Sequence, residues 1–143
     1  MSNVRRLRRR TRNRLPRLGA AVVEFAVVAP LFILLTMGMI EMGRVVMVKQ
    51  ILINASREGA RLAALPGTTS SDVSTLVQSD LSGQTINGAA VNTVPSTLAS
   101  AVAGTPVTVK VSIPAAAITW IPNPMFTAQT LLEAETTMRR ESQ

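Results

Sequence analysis

The chain lacks the side chains on which most enzyme and metal sites depend. Its 143 residues include no cysteine and no histidine. Disulfides and thiolate metal sites are therefore excluded, and the commonest general base and the commonest metal ligand are both missing. Tyrosine is also absent, and one tryptophan with three phenylalanines is too little material for an aromatic platform on which nucleic-acid bases stack.

No catalytic motif compensates for these absences. The sequence contains no glycine-rich phosphate loop, no catalytic triad and no cluster of metal-ligating residues. Asp72 and Asp80 are spaced for the surface of one short helix. We therefore expect a protein that is not an enzyme and that needs neither a cofactor nor a metal.

Acidic residues are missing from the first part of the chain, where basic residues concentrate. Eight of the fifteen basic residues are arginines that precede Gly19, and the rest of the chain carries seven basic and eight acidic groups. The formal charge of +7 therefore belongs to a basic leader, residues 1–19. Such a leader could bind nucleic-acid phosphates, but an adjacent membrane explains its position better, so no nucleic-acid partner is expected.

An apolar segment, AAVVEFAVVAPLFILLTMGMI, follows over residues 20–40 and contains a single charged residue. As a helix it is about 30 Å long, which matches the hydrocarbon core of a bilayer. Its apolar residues occur on every side, and the rest of the chain is too small to surround it as a core helix. We predict a transmembrane helix with the arginine-rich N-terminus in the cytoplasm and the C-terminal part outside.

The helix is expected to continue outside the membrane as an amphipathic extension, residues 41–65, and to end at Pro66-Gly67. Glu41 with Arg44, and Glu58 with Arg61, are spaced for i,i+3 ion pairs. Pro30 is expected to bend the helix within the membrane. Apolar and small residues recur at spacings of three and four along one face, namely at Val45, Val48, Leu52, Ala55, Gly59 and Leu62.

Residues 66–143 predict a small extracytoplasmic α+β domain. Residues 72–81 favour a short helix capped by Ser71 or Asp72, and residues 107–113 alternate as an amphipathic strand. A strand over residues 89–94 is possible, and an irregular loop surrounds Trp120. Residues 130–140 suit either a strand or a helix, and we favour the strand because residues 107–113 need a partner. The fold class is therefore α+β, a long membrane helix followed by a helix and an antiparallel sheet.

The junction between leader and apolar segment reads RLGAAVVEF over residues 17–25. A secretory signal peptide is cut after its apolar region, whereas the candidate cut here precedes it, so the apolar helix would be retained. Glycine followed by four apolar residues and a glutamate resembles the processing signal of type IV pilins and pseudopilins. The resemblance implies that a prepilin peptidase cuts between Gly19 and Ala20, which makes Ala20 the new N-terminus.

Glu24 is the charged residue within the apolar segment. A carboxylate at membrane depth is costly and marks a functional candidate. The pilin resemblance implies that Glu24 pairs with the new α-amino group of Ala20 on a neighbouring subunit. The alternative is a partly hydrated position near the interface, because Glu24 lies only about 7.5 Å from Gly19 along the helix axis.

Two further stretches resemble the TadE-like family. Residues 38–44, GMIEMGR, carry an E-x-G-R pattern, and residues 54–61, NASREGAR, match an N-x-x-R-E-G-A-R pattern. The resemblance implies a minor pilin or pseudopilin of a tight-adherence (Flp) pilus, held in the bacterial cytoplasmic membrane. Its implied partners are the prepilin peptidase, other pilin or pseudopilin subunits, the inner-membrane assembly platform and the lipid bilayer.

The residues of these two stretches are candidates for subunit pairing. Gly59 and Ala60 permit close approach of another helix, and the charged residues could form ion pairs there, or form only a solvated helical face. We expect neighbouring subunits to bundle through the stripe from Val45 to Leu62.

A signal-anchor protein with an extracytoplasmic binding domain unrelated to pili has the same topology but leaves Glu24 unexplained. The candidate pairing residues are Glu24, Glu41, Arg44, Arg57, Glu58, Gly59 and Arg61.

Overall fold

A computed structural model describes residues 16–119 and 130–142 of the chain. Two helices and three strands follow one another in the order α1, α2, β1, β2, β3. The chain divides into two compact units, Met1–Gly38 and Met39–Gln143. The predicted α+β class is confirmed. Most of the predicted leader and most of the predicted loop around Trp120 lie outside the described residues.

The long helix α1 extends over Pro16–Ala64 and contains 49 residues. Its described part begins four residues before the predicted start at Ala20. The segment's most apolar 18-residue window has a mean hydropathy of 2.3 and is 0% buried. The predicted long apolar helix is therefore confirmed, and it is exposed and long enough to cross a membrane. Pro30 lies inside the helix, and the bend expected there stays a prediction.

The second half of α1, from Met39, packs into the C-terminal unit. The predicted stripe is confirmed, because Val48, Leu52 and Ala55 are fully buried while Val45 and Leu62 are partly buried against the same core. The surface that covers the stripe belongs to the protein's own sheet and second helix. The expectation that neighbouring subunits bundle through this stripe is therefore corrected, since the stripe is already occupied.

Helix α2 covers Ser70–Gly83 and buries Val73, Val77 and Leu81. Its N-cap is Thr69 rather than the predicted Ser71 or Asp72. Thr69 and Asp72 form a reciprocal capping box, in which each side chain accepts a hydrogen bond from the other residue's backbone N–H. The preceding loop therefore contributes two further residues to the helix.

Three antiparallel strands form one sheet in the order β1 (Ala90–Val94), β2 (Pro106–Pro114) and β3 (Leu131–Arg139). The strand predicted over residues 107–113 is confirmed, and its alternate residues face the core. The ambiguous segment is a strand, paired with β2 along its whole length from Pro114↔Leu131 to Pro106↔Arg139. On the outer face, Glu133 pairs with Lys110 at 2.8 Å and raises the pKa of that lysine, chiefly through the hydrogen bond.

The capping box makes the stability of the domain sensitive to acid. Hydrogen bonds from the hydroxyl and backbone N–H of Thr69 hold the pKa of Asp72 below its ordinary value. The stabilisation is therefore complete above the unfolded-state pKa and is lost as pH falls through the lowered, folded-state pKa. Asp72→Asn should flatten this acid-side fall in the urea midpoint of unfolding, whereas Asp80→Asn on the same helix should retain it. An unchanged fall in Asp72→Asn would show that the capping carboxylate does not contribute.

Candidate functional site

The predicted processing residues lie in the first turns of α1. Gly19 and Ala20 are both exposed, and within the described part of the chain no atom beyond the local helix backbone lies within 4 Å of the position that a Cβ on Gly19 would occupy. Glu24 follows on the same helix and is also exposed. The bond between Gly19 and Ala20 is part of a helix, so a peptidase that grips extended backbone must first unwind this turn. Unwinding is easiest near a helix start, where the first N–H groups have no partner within the helix.

Three polar contacts join α1 to β3 along their lengths. The Lys49 ammonium donates to the backbone carbonyl of Glu133. The hydroxyls of Ser56 and Thr136 lie 2.9 Å apart, and the Arg140 guanidinium lies 3.5 Å from the carbonyl of Ala63. Along α1, Lys49, Ser56 and Ala63 follow one another at intervals of seven residues, about 10.5 Å. Their partners Glu133, Thr136 and Arg140 follow one another at intervals of three and four residues, about 10 and 13 Å along an extended chain. Strand β3 therefore runs beside α1 in the same direction.

Arg44 ties the helix to the segment that follows β2. Its Nε donates a hydrogen bond to the carbonyl of Ile118, one residue beyond a short 3₁₀ turn, Ala115–Ala117. Glu41 lies one turn earlier on α1 and is half-buried. The predicted pairing of Glu41 with Arg44 stays a prediction, and the contact to Ile118 gives Arg44 a role within the fold.

The NASREGAR stretch is divided between two faces of α1. Its small residues Ala55, Ser56, Gly59 and Ala60 are buried. A Cβ on Gly59 would lie 2.7 Å from Val77 Cγ2 of α2 and 3.2 Å from Val109 Cγ1 of β2. Gly59 therefore does permit close approach of another helix, as predicted, but that helix is α2 of its own domain.

The polar residues of the same stretch lie on the other face. Asn54, Arg57, Glu58 and Arg61 are all exposed. The predicted pair of Glu58 with Arg61 is confirmed at 3.6 Å, with side-chain exposures of 58% and 72%. Exposed pairs of this kind contribute little to stability. These four side chains are therefore available to a partner, whereas the small residues beside them serve the fold.

Lys49, Ser56 and Arg140 contribute more to the fold than the sequence indicated. Ser56 is fully buried, and its hydroxyl also donates to the carbonyl of Ile53 at 2.9 Å. Arg140 is buried at the end of α1, where the next residue's N–H bonds the carbonyl of Ala64 at 2.9 Å. A cation and an N–H there satisfy carbonyls that the helix itself leaves without partners. The signal that could have identified Arg140 is a basic residue directly after the last strand.

The exposed apolar surface of α1 extends beyond the predicted boundary at Ile40. Met42, Val46 and Met47 are 66%, 63% and 53% exposed, although they lie in the segment predicted to be amphipathic. Val45 and Val48, on the opposite side of these turns, pack toward the core. The outer face of α1 becomes polar only from Gln50 and Asn54 onward.

Comparison with known proteins identifies one segment of the chain, residues 19–61. No curated protein and no solved structure matches the chain. A family model described as TadE-like protein matches residues 19–61, which cover the candidate cut site, the apolar helix and the NASREGAR stretch. The resemblance seen in the sequence is therefore confirmed over this segment: residues 19–61 match the TadE-like family.

Proposed function

We propose that the protein is a minor pilin or pseudopilin of a tight-adherence pilus, a structural subunit and not an enzyme. The observation that carries the proposal is the division of the family segment into two faces. Its small residues are buried in the protein's own domain, while Asn54, Arg57, Glu58 and Arg61 are exposed. Because the fold makes little use of these four side chains, we assign them to contacts with neighbouring subunits or the assembly platform.

The N-terminal end of the segment supplies the second part of the proposal. The arginine-rich leader holds the N-terminus in the cytoplasm, and α1 crosses the inner membrane with the domain outside. A prepilin peptidase removes residues 1–19, and Ala20 becomes the new N-terminus. Glu24 then pairs with the α-amino group of Ala20 on a neighbouring subunit, since an exposed carboxylate within an apolar helix is stabilised by a cation. This pairing sets the axial stagger between adjacent helices.

The interface role of the exposed arginines can be tested by complementation. In a strain that makes tight-adherence pili but lacks this gene, the wild-type protein should restore pili, counted by electron microscopy. The double variant Arg57→Ala/Arg61→Ala should restore at least tenfold fewer pili. A loss of about 1.4 kcal/mol in the free energy of subunit association lowers the association constant tenfold. The double variant keeps the helix, since alanine is the best helix former.

Arg139→Ala is the matched control. Arg139 is an exposed arginine on β3 outside the family segment, so its removal should leave piliation unchanged. Immunoblots of membrane fractions must show equal amounts of all variants. Normal piliation by the double variant would show that Arg57 and Arg61 do not contribute to a subunit interface. Normal piliation in the strain without the gene would overturn the proposed function and favour a signal-anchor protein unrelated to pili.

A further inference from the structure

We propose that one end of the C-terminal domain is a lipid-contact surface that rests in the headgroup layer of the membrane. This basal surface consists of Met42, Val46 and Met47 of α1, Ala116 and Ala117 of the 3₁₀ turn, and Leu131 at the start of β3. All six residues are exposed. The proposal depends on insertion of α1 in a bilayer but not on a role in pilus assembly.

The contacts between α1 and the rest of the domain fix the height of this surface along the helix. Arg44, which bonds the carbonyl of Ile118, lies about 6 Å beyond Ile40 along the axis. Leu131 precedes Glu133, the partner of Lys49, by about 6.6 Å of strand, which places it level with the turn at Val45. The headgroup layer is about 5–7 Å thick on each side of the hydrocarbon core. With Ile40 at the edge of that core, Met42 lies within the headgroup layer, and Val46, Met47 and Leu131 lie at or just beyond its outer boundary.

The composition of the helix face agrees with this height. The exposed apolar face of the helix continues to Met47, about 10.5 Å beyond Ile40, which exceeds the thickness of one headgroup layer. Side chains on a helix lean toward its N-terminus, so those of Val46 and Met47 reach back toward the core. The next exposed residues on this face, Gln50 and Asn54, are polar. They mark the level along the helix at which the surroundings change from lipid headgroups to water.

The occupant we infer is lipid rather than a second protein chain because Met42, Val46 and Met47 follow the apolar segment of residues 20–40 directly on the same helix. Ala116, Ala117 and Leu131 carry the same apolar character onto the neighbouring parts of the domain. The two nearby basic side chains, Arg44 and Lys49, donate to backbone carbonyls of the domain and hold it against this part of the helix.

The absence of cysteine allows a direct test in the full-length protein. Leu131→Cys and Thr137→Cys place a fluorophore on the same outer face of β3 about 20 Å apart, and both positions are exposed. Each labelled protein is reconstituted in phosphatidylglycerol–phosphatidylethanolamine vesicles that contain a headgroup-attached or shallow spin-label quencher. We expect quenching at Leu131 to be several times that at Thr137, and Ala117→Cys to behave like Leu131→Cys.

Two results would overturn the proposal. Equal quenching at Leu131 and Thr137 would mean that the domain stands clear of the lipid. Spontaneous disulfide-linked dimers of Met47→Cys, with no quenching at that position, would mean that a second copy covers the surface. Circular dichroism of every variant must match the wild type, which is expected because these positions are exposed. The vesicles contain no pilus components, so the result is independent of the proposed function.

Discussion

Replacing Gly19 by valine should leave residues 1–19 attached to the protein in cells that contain an active prepilin peptidase. A peptidase at the membrane surface must grip extended backbone, and glycine has no side chain to obstruct it. Valine adds a β-branched side chain at the cut and also favours the helix over glycine by about 0.5 kcal/mol, which opposes unwinding. We expect the processed fraction to fall tenfold or more, equivalent to about 1.4 kcal/mol or more in the barrier to cleavage.

Mass spectrometry of the membrane fraction measures this effect directly, because the cut product begins at Ala20. Gly38→Val is the control, since it makes the same substitution at a helical glycine with no atom within 4 Å of the new Cβ. It should be processed like the wild type. Cleavage of Gly19→Val at the same bond, or an intact arginine-rich N-terminus in the wild-type protein, would refute processing at this site.

Replacing Gly59 by leucine should prevent the C-terminal domain from folding stably. A Cβ alone would lie 2.7 Å from Val77 Cγ2, with Val109 Cγ1 at 3.2 Å and Val73 Cγ1 at 3.4 Å. All three neighbours are valines, which are stiff about χ1 and cannot rotate away at low cost. Overpacking of this kind costs about 1–3 kcal/mol or more. A leucine, which adds three further carbon atoms, should remove most of the stability of about 5–15 kcal/mol that a small domain has.

Resistance of the domain to trypsin in detergent micelles, and its urea midpoint, report this loss. Gly43→Leu is the matched control, because Gly43 lies on the same helix with no atom within 4 Å of its Cβ position. That variant should be as stable as the wild type or slightly more so, since leucine favours a helix over glycine by about 0.8 kcal/mol. Equal stability of Gly59→Leu and wild type would mean that α2 and β2 do not pack on α1 at this residue.

The sequence was sufficient to predict a helix or a strand where one hydrophobic pattern dominates a long segment. The apolar run of residues 20–40 predicted a helix and the strict alternation of residues 107–113 predicted a strand, and both elements are confirmed. Residues 130–140 fit both periods, and only the ladder with β2 decides between them. The cap of α2 was misplaced because Thr69, Ser70, Ser71 and Asp72 all have capping side chains. Only their backbone conformations select Thr69.

The sequence indicated which residues of α1 are candidates for subunit contacts. It did not indicate which of them are buried in the protein's own fold and which are exposed. The stripe on α1 requires an apolar cover, yet periodicity does not say whether a second chain or the protein's own sheet provides it. Gly59 accordingly belongs to the internal packing, whereas Arg57 and Arg61 are exposed. Lys49 and Arg140 bond backbone carbonyls. Because every residue has a backbone carbonyl, a sequence pattern does not show which carbonyl a basic side chain will bind.

The position of β3 beside α1 has a consequence for biogenesis. The contacts that close the domain join residues 84, 80 and 77 positions apart, and β3 follows every other strand in the chain. The surface of α1 that β3 covers therefore stays open until residues 131–139 have been synthesised. Non-local closure of this kind is slow, so the new chain has a period in which chaperones or proteases can reach its unfinished core.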